Sequence, residues 1–482
     1  MKMIDILLGA IIFSIWYVVL FFEKTIGLSM LLFAVPFTYF IIYVLEKRNE
    51  NMNKKAKILL IPITSLSSTF FIYNNKFFYE MNLLIIPLLL IIMILALYNE
   101  KFNLNIYLLG RIIGVFIVPI SFIGESFTKV TESLEDKLKI QNDYRKSKKI
   151  KRIVKAILIT TPIVLVIIAL LSSADENFGN IFIHILTNIL NFITQIQISQ
   201  FIIRIILIGI IFVYLIGFFY YITHKMENDT ENIPSKIKTD IFTIKMILIA
   251  LNVVYLLFSI IQIKSLFEIR ALSEYSAYAR QGFFQLMVVS VINLITILIA
   301  KKSEENEQQT NRYINVMSII MILFTFIIII SSAVRMYYYE KAFGYTLLRL
   351  LVYCSLFAET VLLIPTAMYI LDKKINLPKT YFIIIISIYI CMNFANFDFI
   401  IMKRNVDRYI KTGKIDMDYI EYDIGTDGIS QLLRVIELNK NDECTVQAKE
   451  FLNQVYTELQ SEKMDFRDLN ISKIVAKKMI EK

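Results

Sequence analysis

The sequence predicts an all-α, polytopic integral membrane protein, and three observations predict it. Of the 482 residues, 57% are hydrophobic and 19% charged, with a mean hydropathy of +0.61. A globular chain carries about 45 to 50% apolar residues and about a quarter charged. The apolar excess is gathered into uncharged or nearly uncharged blocks of sixteen to twenty-five residues, long enough to cross a bilayer as helices. Basic residues collect in the short links between those blocks, and in hydrocarbon a helix satisfies every backbone polar group within itself.

Taken in order, the blocks predict spans at 4–22, 26–45, 58–73, 83–98, 156–172, 201–223, 246–263, 283–300, 315–333, 347–371 and 381–397. The first has only Lys2 before it and no small-residue cleavage site after it, so it reads as a retained span. A twelfth apolar stretch, 106–124, contains Gly110, Arg111, Gly114 and Pro119 and is open to a re-entrant or interfacial reading.

Charge sets the expected orientation. The net charge is +10, and residues 403–482 hold 14 basic and 15 acidic side chains, so residues 1–402 carry the whole excess. The link 46–57 holds Lys47, Arg48, Lys54, Lys55 and Lys57, and the link 125–155 holds ten basic residues; the positive-inside rule makes both cytoplasmic. An even number of crossings must then separate them, yet 58–73, 83–98 and 106–124 all lie between. Either 106–124 or the short, hydroxyl-rich 58–73 does not cross. Both choices give eleven crossings, a cytoplasmic N-terminus and an extracytoplasmic C-terminal tail, in a bacterial cell membrane.

Four segments follow: N-terminal membrane helices (1–124), a basic cytoplasmic link (125–155), a membrane core with outer polar motifs (156–397) and a soluble helical tail (398–482). Within the outer link 173–200, Ile181, Ile185, Leu186, Ile189 and Phe192 recur at helical spacing, which predicts a helix lying in the interface. In the tail, Ala448, Leu452, Val455 and Leu459 predict one helix, and Asn470 is placed to cap another over 471–480.

Several function classes are excluded or disfavoured. There is no Walker loop, GxGxxG, HExxH or nucleophile elbow. His184 and His224 stand alone and the three cysteines lie far apart, so no metal site, disulfide framework or cofactor is expected. The basic excess is topological and implies no nucleic acid.

What remains is a polar set: Asp175 closing one span, Glu274, Tyr278 and Arg280 leading into another, Arg349 near the outer end of a third, and Asp398 and Arg408 beyond the last. Glu274, Tyr278, Gln281 and Gln285 would line one helix face, as a wall of an aqueous cavity or as the wet face of an interfacial helix. Arg204 and Arg349 sit a few residues inside the outer ends of spans, where snorkelling to headgroups accounts for both. Glu359 stands at the midpoint of 347–371, where a charge costs about 2.5 to 3.5 kcal/mol on insertion scales. The thirteen Leu, Ile, Val and Phe residues of that block return about 4 to 8 kcal/mol, so the segment still inserts. Glu359 reads either as a proton or cation site or as a hydrogen-bonded carboxyl fastening two helices.

The strings Leu170 to Phe178, Glu274 to Leu286, Tyr339 to Arg349 and Asn396 to Tyr419 resemble those of a bacterial polytopic membrane family of unknown function, the four-one-seven-three group, related to the four-one-five-three group. The likeness covers roughly residues 150–430. It implies that Ser173, Ala174 and Asp175, Tyr278 to Arg280 with Gly282 and Phe283, Gly344, Thr346 and Arg349, and Asn405, Arg408 and Tyr409 are the recognisable positions. It implies no activity. Phe343 departs from the Tyr that the family tends to carry before the glycine.

All four strings fall at or beyond the outer ends of spans, and the expectation is that Asp175, Glu274, Arg280, Arg349, Asp398 and Arg408 line one outward-facing site as an ion-pair network. An architectural network would look the same in sequence. The leading function is transport or permeation of a small solute through that site and Glu359. The alternatives are an envelope sensor or assembly protein whose tail binds a partner protein, and an enzyme acting on lipid-linked substrates with Arg280 and Arg349 on phosphate. The lipid bilayer is the one partner common to all three.

Overall fold

Nine helices among the described residues of a computed structural model are long and apolar enough to cross a membrane. The structure describes residues 3–49, 52–98, 106–138, 200–226, 241–267, 283–302, 308–371, 375–438, 443–462 and 465–481. The expected span 156–172, the interfacial helix 181–194 and most of the basic link 125–155 lie outside the described residues.

Contacts divide the chain into two units: Met1–Phe71 with Leu84–Ile233 and Met464–Leu469, and Ile72–Leu83 with Pro234–Lys463 and Asn470–Lys482. The first unit holds α1 (Met3–Phe21), α2 (Leu28–Arg48), nearly all of α3 (Leu60–Ile72) behind a 3-10 turn at Lys54–Leu59, most of α4 (Lys76–Tyr98), α5 (Ile106–Ser121), α6 (Ile123–Leu138) and α7 (Gln200–His224). Lys47 and Arg48 end α2, where cations complement the helix dipole. The stretch 106–124 is not one straight rod: after Pro119 the chain bends by 54° from α5 into the charged α6. By contrast, Lys54–Ile72 runs long and apolar enough to cross.

Also in the first unit, the segment 465–469 lies on the turn between α1 and α2. Leu28 N–H donates to the Leu469 carbonyl at 3.1 Å and Ser29 N–H to the Arg467 carbonyl at 2.9 Å. Lys24 reaches Asp468 at 3.1 Å and Asp465 at 3.4 Å, and the Arg467 guanidinium donates to the Val19 carbonyl at 3.0 Å. Gly27 lets the two backbones meet, since a Cβ there would stand 2.6 Å from the Leu469 carbonyl oxygen.

The second unit holds α8 (Ile241–Phe267), α9 (Phe283–Lys302), α10 (Gln308–Phe343), α11 (Leu347–Leu371) and α12 (Leu377–Phe394), followed by α13 (Phe397–Thr412), α14 (Met417–Asp423), α15 (Ile429–Glu437), α16 (Glu443–Ser461) and α17 (Ile471–Ile480). The expected span 283–300 appears as the apolar stretch Gln285–Lys301 of α9. At 36 residues, α10 is about 54 Å long and outruns the block 315–333. Its Arg, Tyr and Glu residues at 335–340 suit a helix as well as a link, and the helix stops only where Gly344 turns left-handed at φ +85°.

The tail helices share their core with the spans. Ile401, Met402, Val406, Tyr409, Ile420, Leu432, Val435 and Ala448 form one cluster with Phe78 of α4, against which Leu347, Leu350 and Leu351 of α11 and Tyr389 of α12 pack. Ala448 and Leu459 are the buried positions of the expected three-four stripe of α16. Asn470 caps α17 by accepting from Lys473 N–H at 3.0 Å.

Gly27→Ala is expected to cost about 1 to 3 kcal/mol through the forced separation of two backbones. A lower thermal midpoint in detergent, with faster proteolysis around residues 462–470, checks it; an unchanged midpoint contradicts the close approach.

Candidate functional site

Buried polar residues recur along α10 and tie it to its neighbours in the second unit. Lys301 of α9 donates to the Asn315 side-chain oxygen at 2.6 Å. Two residues on, the Asn252 amide of α8 donates to the Met317 carbonyl at 3.1 Å. Asn293 of α9 donates to the Thr325 hydroxyl at 3.0 Å, and Thr325 donates to the Met321 carbonyl at 2.7 Å. Further along, Gln262 of α8 accepts from Ser331 at 2.6 Å and from Arg335 at 2.9 Å, and the buried Glu340 lies near the Tyr345 phenol. Residues 315 to 340 rise about 37 Å along a helix, more than the roughly 30 Å of a bilayer's hydrocarbon. The polar seam thus runs the full depth of the unit's membrane part.

Glu359 of α11 belongs to this seam. It is buried, and its carboxyl is held by the Ser290 hydroxyl of α9. Ser290 also lies 2.7 Å from the Met287 carbonyl. A hydroxyl has one proton to give, so the pair has two complete arrangements. Ser290 donates to a carboxylate, or it donates to Met287 while the carboxylic acid donates to Ser290.

At the end of α10 the loop 342–349 is latched to α13. The Asn405 amide pairs with both backbone groups of Tyr345, accepting from its N–H and donating to its carbonyl, each at 2.8 Å. Arg408 donates to the Ala342 carbonyl at 2.7 Å, Arg349 donates to the Gly344 carbonyl, and Leu347 N–H donates to the Tyr419 hydroxyl at 2.8 Å. These partners satisfy carbonyls and amides that a helix end and a helix start leave open. The Arg349 guanidinium also lies over the Tyr339 ring, 4.4 Å from its centroid. Gly344 is required twice over, by its φ of +85° and because a Cβ would stand 2.8 Å from Asn405 Oδ1. Burial, with the nearby Glu340 carboxylate, pushes the Tyr345 phenol up to about 12.

The other end of α13 carries a buried carboxyl. Asp398 accepts from the Asn75 amide at 2.5 Å and from Gly425 N–H at 3.0 Å, and next to it Asp427 accepts from Asn74 N–H at 2.7 Å. Burial pushes Asp398 up to about 7; the Gly425 bond opposes the rise, as the Asn75 bond does, and the charges of Asp427 and Asp423 add to it. Asp427 is raised as well, by burial first.

Of the sequence-derived set, Asp175, Glu274, Tyr278 and Arg280 lie outside the described residues. Arg349 and Arg408 come together on the 342–349 loop, so two of the four resembling strings meet there. Asp398 stands ten residues from Arg408, about 15 Å along α13, and Glu359 sits in the seam. None of Arg349, Glu359, Asp398 and Arg408 forms a salt bridge with a described residue. Arg349 is buried on its carbonyl, whereas exposed Arg204 lies over Phe22 at 4.9 Å. Sequence reasoning missed Asn252, Gln262, Ser290, Asn293, Ser318, Thr325, Asn75 and Asp427. A signal existed for part of them: Ser318, Thr325 and Ser332 recur every seven residues on α10, one face of a helix. Among the described residues no three His, Cys, Asp or Glu side chains cluster as metal ligands would.

Gly344→Ala is expected to cost about 2 kcal/mol or more, from left-handed strain and the clash with Asn405, and Asn405→Leu to loosen the same loop; faster amide exchange at 344–347 checks both. For pH, an unfolded Asp titrates near 3.9, so the folded chain holds a proton between about pH 4 and 7 that the unfolded chain has lost. Stability from Asp398 therefore falls as pH rises through that window. The thermal midpoint should be higher near pH 5.5 than near pH 8 by a few degrees, and Asp398→Asn should flatten the difference; an equal slope in the variant contradicts it.

A family model described as Domain of unknown function (DUF4153) matches residues 60–435, a range that holds all four resembling strings. The match is to the related group and not to the four-one-seven-three group. No curated protein and no solved structure matches the chain. With most of its length under that model and its apolar helices long enough for repeated crossing, the chain is a multi-pass membrane protein of the family described as Domain of unknown function (DUF4153).

Proposed function

We propose that the protein moves a small solute or ion across a bacterial cell membrane through the polar seam of its second unit. The observation that carries this reading is Glu359, a carboxyl in the middle of a span, bonded to Ser290 of α9 in a way that accommodates both protonation states, one turn from Asn293 of the seam. Ionisable groups at such depth are costly and mark ion pathways and proton relays. A fastener between two helices would need no seam of further polar groups continuing past it in both directions.

Orientation follows from charge and parity. The turn 73–75 and the loop 344–346 both bond to tail residues in the second unit, so an even number of crossings separates them. The helices α4, α7, α8, α9 and α10 supply five. We assign the sixth to the block 156–172 and leave the bent α5–α6 pair on one side. The basic links 46–57 and 125–155 then share the cytoplasmic side with the N-terminus, and the tail faces outward.

A partner-binding role for that tail has one observation of its own. Ile471, Val475 and Met479 are exposed along one face of α17, which suits a protein contact in the envelope.

Reconstituted vesicles with an entrapped pH dye test the leading reading. After an external acid pulse, wild-type vesicles should dissipate the gradient faster than protein-free ones, and Glu359→Gln at equal incorporation should fall to the protein-free rate. Equal rates for wild type and Glu359→Gln overturn it.

A further inference from the structure

Among the described residues of the second unit, the buried side-chain atoms without a hydrogen-bond partner include Asn252 Oδ1, Ser259 Oγ, Asn293 Oδ1 and Ser318 Oγ. Their residues are 7%, 3%, 0% and 0% exposed, in that order. Turning the amides relieves neither asparagine. The Asn252 nitrogen is committed to the Met317 carbonyl. Thr325 spends its one proton on the Met321 carbonyl, so the Asn293 nitrogen must face the Thr325 oxygen and its own oxygen is left over. Helix hydroxyls elsewhere in the unit bond back to a carbonyl one turn earlier, as Thr366 does on Leu362, but Ser318 and Ser259 do not. Groups left in this state are expensive to bury, most of all in a membrane.

These atoms are spaced, not scattered. Asn252 meets α10 at Met317, beside Ser318, and Asn293 meets it eight residues on at Thr325, about 12 Å along the helix. Ser259 follows Asn252 by seven residues on α8 and so shares its face. Ser290, which holds Glu359, precedes Asn293 by one turn on α9. Internal water is the group that satisfies buried polar atoms, and it needs two to four polar partners at each position.

We infer that a file of internal water molecules occupies this seam from Asn252 and Ser318 to Glu359, and that the species passing along it is a proton. The second half of the inference rests on the permeation reading of Glu359. In the transfer the carboxylic acid turns its O–H from Ser290 to the adjoining water and gives it the proton, making hydronium, and Ser290 turns its own O–H from the Met287 carbonyl to the new carboxylate. Uptake from hydronium reverses both movements, so charge and atoms balance with no other reactant.

Hydroxyl-radical footprinting of the full chain in nanodiscs, with radicals made from water in place by an X-ray pulse, tests the file. Met321 is fully buried and lies between Ser318 and Thr325 on the same face of α10. It should be oxidised at a rate within severalfold of exposed Met479, while Met93, equally buried among Ile91, Ile92 and Ile94, should stay intact. Ser318→Ala, and independently Asn293→Leu, should lower Met321 oxidation severalfold with Met479 unchanged. An intact wild-type Met321 beside an oxidised Met479 overturns the file. Oxidised Met321 in protein whose vesicles carry no proton flux keeps the water, and overturns the proton assignment together with the permeation reading.

Discussion

The obligation of every polar group in hydrocarbon to find a partner inside the protein governs this structure more than any other constraint. It makes the spans helical, and in the second unit it decides how they pack. The long helix α10 carries amides, hydroxyls and charged groups that lipid would not accept, and Asn315, Thr325, Ser331 and Arg335 each meet a side chain of α8 or α9. Apolar packing around Leu248, Ile297, Met321 and Ile328 fills the remaining space. Because lipid tails are as apolar as leucine, such packing gives the helices little reason of its own to associate, and the polar contacts supply register.

The same accounting explains the junction between spans and tail. Where α10 ends and α11 begins, open carbonyls and amides are met by Asn405, Arg408, Arg349 and Tyr419. The arginines there act as donors to backbone, with no carboxylate beside them among the described residues. The tail is consequently part of the second unit's core, and Asp398 is desolvated deeply enough for its protonation to follow the pH of its surroundings.

Much of the fold was legible in the chain because span length, basic links and cap residues are local signals. Asn470 before an apolar run and the three-four stripe of α16 needed only spacing. The end of α10 was not legible, since Arg335, Tyr337, Tyr338 and Glu340 suit a helix and a wet link equally. Glu359 announced itself by its depth, but its partner Ser290 lies 69 residues away and the Asn75 partner of Asp398 lies 323 away. No periodicity reports such pairings. The charges at 349, 398 and 408 suggested pairing with one another, whereas backbone groups, visible only once the chain is folded, are what the two arginines bind, and Asp398 bonds a backbone N–H and an amide side chain.

On the proposal made above, the Glu359 carboxyl, deep in a span, is in contact with water through the seam. Infrared spectroscopy of the protein in lipid tests it most directly. The carboxylic C=O band that wild type shows on acidification and Glu359→Gln lacks should move to its deuterated position as soon as D2O replaces water. A band that keeps its protonated position for hours, while the amides of the exposed tail helices exchange, would contradict the claim.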